Sequence, residues 1–484
     1  MTGISSFISP PYLALTTLGV MCAWPFVAHR VRDPFHILYP FVGYVAFGIG
    51  IRGLALQGEV VPNRFNAPVE NEQLLALAYI LTALALAGLY LGYYGRLDRV
   101  SQSMAQALRR RAIADRCAGE GARVGYSLFC ATVAFVSFWW FRRHLHLPVV
   151  LGHNPAAVAA ALMDEGLYHV TMLKHFATVG LALGVLSRRP LARTTAVLMN
   201  VCALLLWFSI GGHKGIIIES ALVVVIAVHY RVRRLSFAQA IAAGAIGLIV
   251  TFFLFQYRSY GVEVDRWTTL DASAEEATWR IIEPILNRSY HCDMLLIILD
   301  RVQRGGGNEL RLGGTLSELL YFWIPRRVWP SKPLAFGYSF ARTFLEPWCY
   351  STTSFATSLV GELFLNWHLI GVVVGFALVG RVMKVGYLLL CTTEAPLMTI
   401  GYGILVTRLV FLVEGPIAGH VLFTLSSFLP LLGLAVVDAM APRLRCRRGT
   451  SRDRATAAAA VRTSTKGQEL GSTESGARKV SVGP

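Results

Sequence analysis

The chain has 484 residues, 55% of them hydrophobic and 15% charged, with a mean hydropathy of +0.53. A soluble domain carries roughly 25% charged residues, so a deficit sustained over this length excludes a soluble globular protein and points to repeated bilayer spans. The formal charge of +17 does not indicate a nucleic-acid partner, because the basic residues lie in short clusters that follow apolar runs, as in cytoplasmic loops of membrane proteins.

About 20 apolar residues cross a bilayer as a helix. Such runs predict spans over 11–28, 35–51, 73–94, 124–141, 171–187, 194–210, 216–230, 237–256, 355–380, 386–412 and 417–438. The first is read as a span and not as a cleavable signal: charge follows it instead of preceding it, and Pro25 is too bulky for a small-residue cleavage site. Between spans, 95–123 holds seven Arg against three acids. Smaller clusters are Arg188, Arg189 and Arg193, then Arg231, Arg233 and Arg234, then Arg381 and Lys384. Placing all of them in the cytoplasm puts the N-terminus outside and the C-terminus inside with eleven spans. One residue departs from that pattern: Lys214, in the short outer turn 211–215. The run 386–412 contains Pro396, and a break there makes the count twelve.

The expected fold is therefore all-α, a polytopic integral membrane helix bundle of about 11 (11–12) transmembrane helices over 1–441, in contact with the lipid bilayer. The tail 442–484 has ten Lys or Arg against three acids and almost no large apolar residues, so it is expected to be a disordered basic cytoplasmic segment. One large extracytoplasmic loop, about 257–354, carries eleven basic and eleven acidic residues and aromatic stretches such as "ELLYFWIPRRVWPSKP". A second outer segment covers 142–170. Long outer loops are where function concentrates, so any chemistry is expected to face outward.

Several pieces then occur in a familiar order: "DPFHILYPFVGY" at 33–44, "LGHNPAAVAAALMDEGLYHV" at 151–170, "SIGGHKG" at 209–215, "QYRSYG" at 256–261, "IPRRVWPSKPLAFGYSFA" at 324–341 and "SLVGELFLNWHLIGVVVGFALVG" at 358–380. With these the chain, from about 34 to 438, resembles the bacterial oligosaccharide repeat-unit polymerases, the Wzy-type O-antigen, capsule and exopolysaccharide polymerases. It departs from them at Lys214, where Arg is commoner, and at Trp367-His368, where Phe-Gly is usual. The resemblance implies transfer of a growing glycan from undecaprenyl pyrophosphate to a sugar hydroxyl of a new lipid-linked unit. It implies a multi-pass location in the bacterial inner membrane with the active face extracytoplasmic. The pathway's chain-length regulator and flippase are possible partners.

Such a reaction must hold a pyrophosphate as it leaves, and Arg grips phosphate oxygens in pairs. The candidate pyrophosphate or glycan ligands are Arg258, Arg326, Arg327, Lys332, Arg408 and Lys214. All but Arg258, which stands where a span leaves the membrane, have a structural alternative. Arg408, inside an apolar run, is costly unless hydrated or paired, and Glu414 or Glu362 are its expected partners. Arg326, Arg327 and Lys332 also suit interfacial anchoring, and Lys214 suits a solvated turn. For the acceptor hydroxyl, the candidate catalytic groups are Glu362, His213 and His291, with Asp293 and Glu283 behind them. The alternative for Glu362 is a structural pair with Arg408 or Arg381, and for each His a satisfied structural role. No metal-ligand spacing is present, so neither a metal nor another cofactor is expected. Cys292 and Cys349, the two Cys of the outer loop, are a candidate disulfide. Alternative functions are an O-antigen ligase or other lipid-dependent glycosyltransferase, with Glu59, Glu70 and Glu72 as weak acidic candidates, and a flippase for lipid-linked sugars. The flippase reading is weakened because transporters usually repeat one half in the other and no such repeat is visible. A structural scaffold is disfavoured by the Arg within an apolar run.

Overall fold

The computed structural model describes residues 10–28, 33–63, 65–96, 103, 120–144, 168–211, 214–260, 286, 289–305, 310–322, 324, 328–345, 355, 357–391 and 396–436. For 168–169, 210–211, 214, 248, 251–252, 254–260 and 390–391 the description is of the backbone alone. The described residues are mostly helical (83%), with no strand among them. In chain order the helices are α1 (Pro10–Ala28), α2 (Leu38–Gln57), α3 (Glu72–Tyr94), α4 (Glu120–His144), α5 (His175–Val185), α6 (Pro190–Gly211), α7 (Lys214–Arg231) and α8 (Phe237–Tyr260). They are followed by α9 (His291–Arg304), α10 (Phe336–Phe344), α11 (Leu359–Cys391), α12 (Pro396–Leu412) and α13 (Ile417–Val436). Among the described residues seven of these are long and apolar enough to cross a membrane: α1, α2, α3, α4, α6, α11 and α13. The chain is a multi-pass helical membrane protein.

Three boundaries differ from the sequence reading. The run 386–412 is not one helix: its first residues continue α11, and Pro396 opens α12. A first-turn proline costs no hydrogen bond because its N–H would be unsatisfied anyway. The break at Pro396 therefore adds no helix. Second, the large loop was expected to begin at 257, but α8 runs on to Tyr260. Third, α11 is interrupted at Trp367 (φ −142°, ψ 24°) and His368 (φ 56°, ψ −149°). From Leu369 to Cys391 the helix alone is long enough, at 1.5 Å per residue, for a hydrocarbon core of about 30 Å. The part before the break, from Leu359 to Asn366, packs against the segment 311–315, with the Arg311 N–H donating to the Leu365 carbonyl at 2.9 Å.

Helix α3 begins on Asn71, whose side chain accepts from the N–H groups of Gln73 and Leu74 (3.1 and 3.2 Å). It then crosses α11 at backbone contact. A Cβ at Gly92 would strike the Ala377 carbonyl, one at Gly380 the Leu89 carbonyl, and one at Gly88 would lie 2.5 Å from the Val373 carbonyl. Small residues at such positions let two membrane helices approach without side chains between them. Beyond the crossing, Lys384 donates to the Gly95 carbonyl (2.6 Å) and Arg381 to the Arg96 carbonyl (2.7 Å), satisfying carbonyls at the end of α3. The main core lies between α1, α2, α3, α9, α10, α11 and α12. Smaller cores join α4, α5 and α7 to α12 and α13, and α4 to α5 and α6.

Helix α9 belongs to the predicted outer loop but is not a surface element: His291 through Leu299 are buried against α2, α3 and α11. Two features of α2 receive it. A one-turn π segment, Ala46–Ile51, carries Gly48, where a Cβ would collide with the His291 ring. One residue further on, Arg52 grips Asp293 with both arms, Nε to Oδ2 at 3.0 Å and Nη2 to Oδ1 at 2.9 Å. Both side chains are almost wholly buried. Two planar, parallel hydrogen bonds are what makes a buried pair of this type tolerable.

Candidate functional site

The densest group of buried ionisable side chains lies between α5, α7, α12 and α13. Arg408 of α12 donates from Nη2 to Glu219 Oε2 of α7 at 2.6 Å, and from Nε to Ser427 Oγ of α13 at 3.0 Å. The His175 ring stands 3.3 Å from the same Nη2 and 3.6 Å from Glu219. The Phe423 ring lies 5.7 Å from the guanidinium carbon. Lys174, in the turn before α5, is 9% exposed and adds a second cation coupled to Arg408 and Glu219. The expected partners of Arg408, Glu362 and Glu414, are not its partners. Glu414 lies beyond the end of α12 and accepts from Tyr44 Oη at 2.5 Å. Arg408 instead lies on the side of α12 that faces α7.

Arg408 also lines a groove of about 830 Å³ between α11, α12 and α13. Its wall is otherwise nearly all Leu, Val and Ile, including Leu363, Ile370, Val374, Leu409 and Val421, with Trp367, His368 and His420 towards one end. A groove of this kind accepts a hydrocarbon chain, and Arg408 supplies a positive group on its wall.

A polar layer closes the same end. Glu362 is fully buried and accepts from Thr315 Oγ1 and from the Ile417 N–H, each at 2.7 Å. Asn366, one turn on, donates to Thr315 Oγ1 (2.7 Å) and to the Glu362 carbonyl (2.9 Å), and accepts from the Gly313 N–H at 3.0 Å. Glu318 sits beside this network and accepts from the Phe336 N–H at 3.1 Å. Burial pushes its carboxyl above the ordinary range, against the smaller opposing effects of that hydrogen bond and of Lys332. Tyr44, His291 and Glu414 complete the layer, the His291 ring 5.5 Å from that of Tyr44.

Of the residues singled out in the sequence, Glu362, Arg408 and His291 meet the groove or its closing layer, His291 packing against Tyr44. Glu362 pairs with neutral donors and not with Arg408 or Arg381. Asp293 is held by Arg52. Lys332, near Glu318, closes its own loop: its ammonium donates to the Phe322 and Ile324 carbonyls (3.0 Å each), over the rings of Tyr321 and Phe322. His213, Glu283, Arg326 and Arg327 lie outside the described residues, as do the side chains of Arg258 and Lys214. Cys292 is a buried free thiol, and Cys349, the other half of the candidate disulfide, lies outside the described residues. Among the described residues no three His, Cys, Asp or Glu side chains converge on a metal-sized site.

The sequence reading passed over Lys174, His175, Glu219, Ser427, His420 and Arg52. The signal was present for Glu219, a lone acid in "IIIESALVVV", since an ionisable residue inside an apolar run requires a partner. No protein-family model matches the chain, and no curated protein or solved structure matches it either.

Proposed function

We propose that this protein polymerises polyprenyl-pyrophosphate-linked oligosaccharide repeat units. It would do so on the extracytoplasmic side of a bacterial inner membrane, with eleven spans, the N-terminus outside and the C-terminus inside. In this reading the glycan on one lipid carrier passes to a sugar hydroxyl of another lipid-linked unit. The observation that carries it is Arg408, a buried guanidinium that opens onto a long apolar groove. A polyprenyl chain fits the groove, and its pyrophosphate fits the positive group on the wall. Lys174 and Arg408 outweigh Glu219 in charge, as a site for a leaving anion should.

Three facts support the outward assignment. Lys174 immediately precedes α5, Glu219 lies in the second turn of α7, and Arg408 lies just before the last turn of α12, all towards the ends which the basic clusters put outside. The polar layer containing Glu362 lies at the same end. Arg381 and Lys384 meet the opposite end of α3. Glu362 serves here to hold the closing layer in place, and Arg258, Arg326, Arg327 and Lys214 remain proposed ligands of the glycan pyrophosphate.

Deletion of the gene followed by gel analysis of surface glycan tests the reading. Glycan of a single repeat is the expected result. Unchanged glycan would overturn the proposal. Full-length lipid-linked chains that never reach their final acceptor would indicate a ligase, and loss of all exported units a flippase.

A further inference from the structure

His420, in the first turn of α13, is on the wall of the apolar groove together with Arg408. Its Nε2 lies 3.1 Å from the Gly415 carbonyl. A carbonyl only accepts, so Nε2 carries the hydrogen, and the neutral ring has its lone pair at Nδ1. That Nδ1 is buried and has no hydrogen-bond partner. The charged and titratable groups around the ring are Glu414, Arg408 and His291.

A desolvated lone pair without a donor is rare in folded proteins and calls for a reason. A hydroxyl delivered by a ligand in the groove supplies one. The bases expected from the sequence suit the role less well. Each carboxylate oxygen of Glu362 is already taken by a donor at 2.7 Å, and His291 packs against Tyr44 and is not on the wall of the groove. We propose that His420 is the catalytic base that removes the proton from the acceptor sugar hydroxyl, an assignment that rests on the polymerase reading above. The hydroxyl proton passes to Nδ1 as the oxygen attacks the anomeric carbon of the donor glycan. The new glycosidic C–O bond forms while the bond from that carbon to the pyrophosphate oxygen breaks. The electron pair leaves with the lipid pyrophosphate beside Arg408, and the imidazolium then returns its proton to water. The Gly415 carbonyl fixes the ring so that Nδ1 is the basic nitrogen throughout.

The test replaces the chromosomal copy with His420→Gln and His420→Ala in the host strain and follows conversion of the cell's own lipid-linked units to polymer. Gln places an N–H where Nε2 stands, so it keeps the Gly415 bond, but it has no basic nitrogen. At normal membrane abundance, His420→Gln should lower the rate of polymer formation by about 10²-fold or more. Added imidazole should restore part of the activity of His420→Ala in membrane vesicles. A wild-type rate in His420→Gln, or no imidazole rescue of His420→Ala present at normal level, would overturn the assignment and leave the polymerase reading in place. If deletion of the whole gene does not shorten the glycan, the polymerase reading falls and this assignment falls with it.

Discussion

At the scale of single residues, the Arg408–Glu219 pair decides how a mutation series must be read. Breaking a buried pair by removing one partner costs about 3–5 kcal/mol, because the other charge is left uncompensated. Arg408→Ala should therefore lower both membrane abundance and glycan length, and the single variant cannot separate folding from function. The double variant Arg408→Ala/Glu219→Gln removes both charges. It should recover abundance while the glycan stays at single-repeat length, by immunoblot and gel; recovery of polymer in the double variant would reduce Arg408 to a structural role. A second residue-scale expectation concerns Asp33, at the other end of the bundle. It accepts from Tyr230 Oη at 2.6 Å and from the Phe35 N–H at 3.1 Å, and faces His229 Nε2 at 3.4 Å. The Leu235 N–H donates to His229 Nδ1, so the ring's Nε2 carries the hydrogen that faces Asp33. Burial alone would raise the Asp33 carboxyl, but the hydrogen bonds from His229, Tyr230 and Phe35 outweigh it and hold it below its ordinary value of 3.8. A lowered folded-state pKa gives stability above the ordinary value that is lost as pH falls through it towards the folded one. Thermal unfolding in detergent should show wild type above Asp33→Asn near neutrality, with the gap closing below about pH 4. A gap that is constant with pH would show that the carboxylate charge is not what the site uses.

At the scale of elements, α11 holds the most informative departure from a plain span. A His at φ 56°, ψ −149° occupies backbone space nearly restricted to glycine, at a cost of roughly 1–3 kcal/mol. His368→Gly should raise the unfolding temperature, and no change would mean that the surrounding packing, not the side chain, sets the break. The crossing of α3 and α11 gives the opposite expectation. Gly92→Val would drive a side chain into the Ala377 carbonyl, and the protein should fail to accumulate in the membrane. How far the sequence disclosed these elements follows from the physics of each. Apolar runs longer than a bilayer is thick are visible in any window, so seven of the predicted spans coincide with helices long and apolar enough to cross a membrane among the described residues, whereas Pro396, read as a break that would add a twelfth span, instead opens α12. The break at 367–368 was not read from the sequence: Asn366 and His368 interrupt the apolar run in "FLNWHLIG", but two polar residues are too few to end a span predicted over 355–380. The pairing of Arg52 with Asp293 and of Arg408 with Glu219 spans 241 and 189 residues, and sequence distance carries no information about such partners. The cost of a lone charge announced that Arg408 needed a partner, and it did not say which.

At the scale of the whole molecule, the decisive property is which end faces outward. The ion centre, the groove end and the buried helix α9 all gather at one end, and the basic residues Arg381 and Lys384 meet α3 at the other. If the positive-inside bias sets orientation, the first end is extracytoplasmic, and a lipid-linked glycan made available there can reach Arg408. Inverting the molecule would expose the same groove to the cytoplasm and remove the chemical basis of the proposal. Two single-cysteine variants on a cysteine-free background decide the matter, provided that background still complements the deletion. One retains Cys446 in the basic tail, and the other carries Ser331→Cys at an exposed position beside Lys332. A membrane-impermeant maleimide applied to intact spheroplasts should label the Ser331→Cys chain, and should label Cys446 only after lysis. Labelling of Cys446 from outside would defeat an odd number of spans with the N-terminus outside. Protection of position 331 together with labelling of Cys446 would reverse the whole bundle, and would refute the polymerase reading on topology alone, before any glycan is examined.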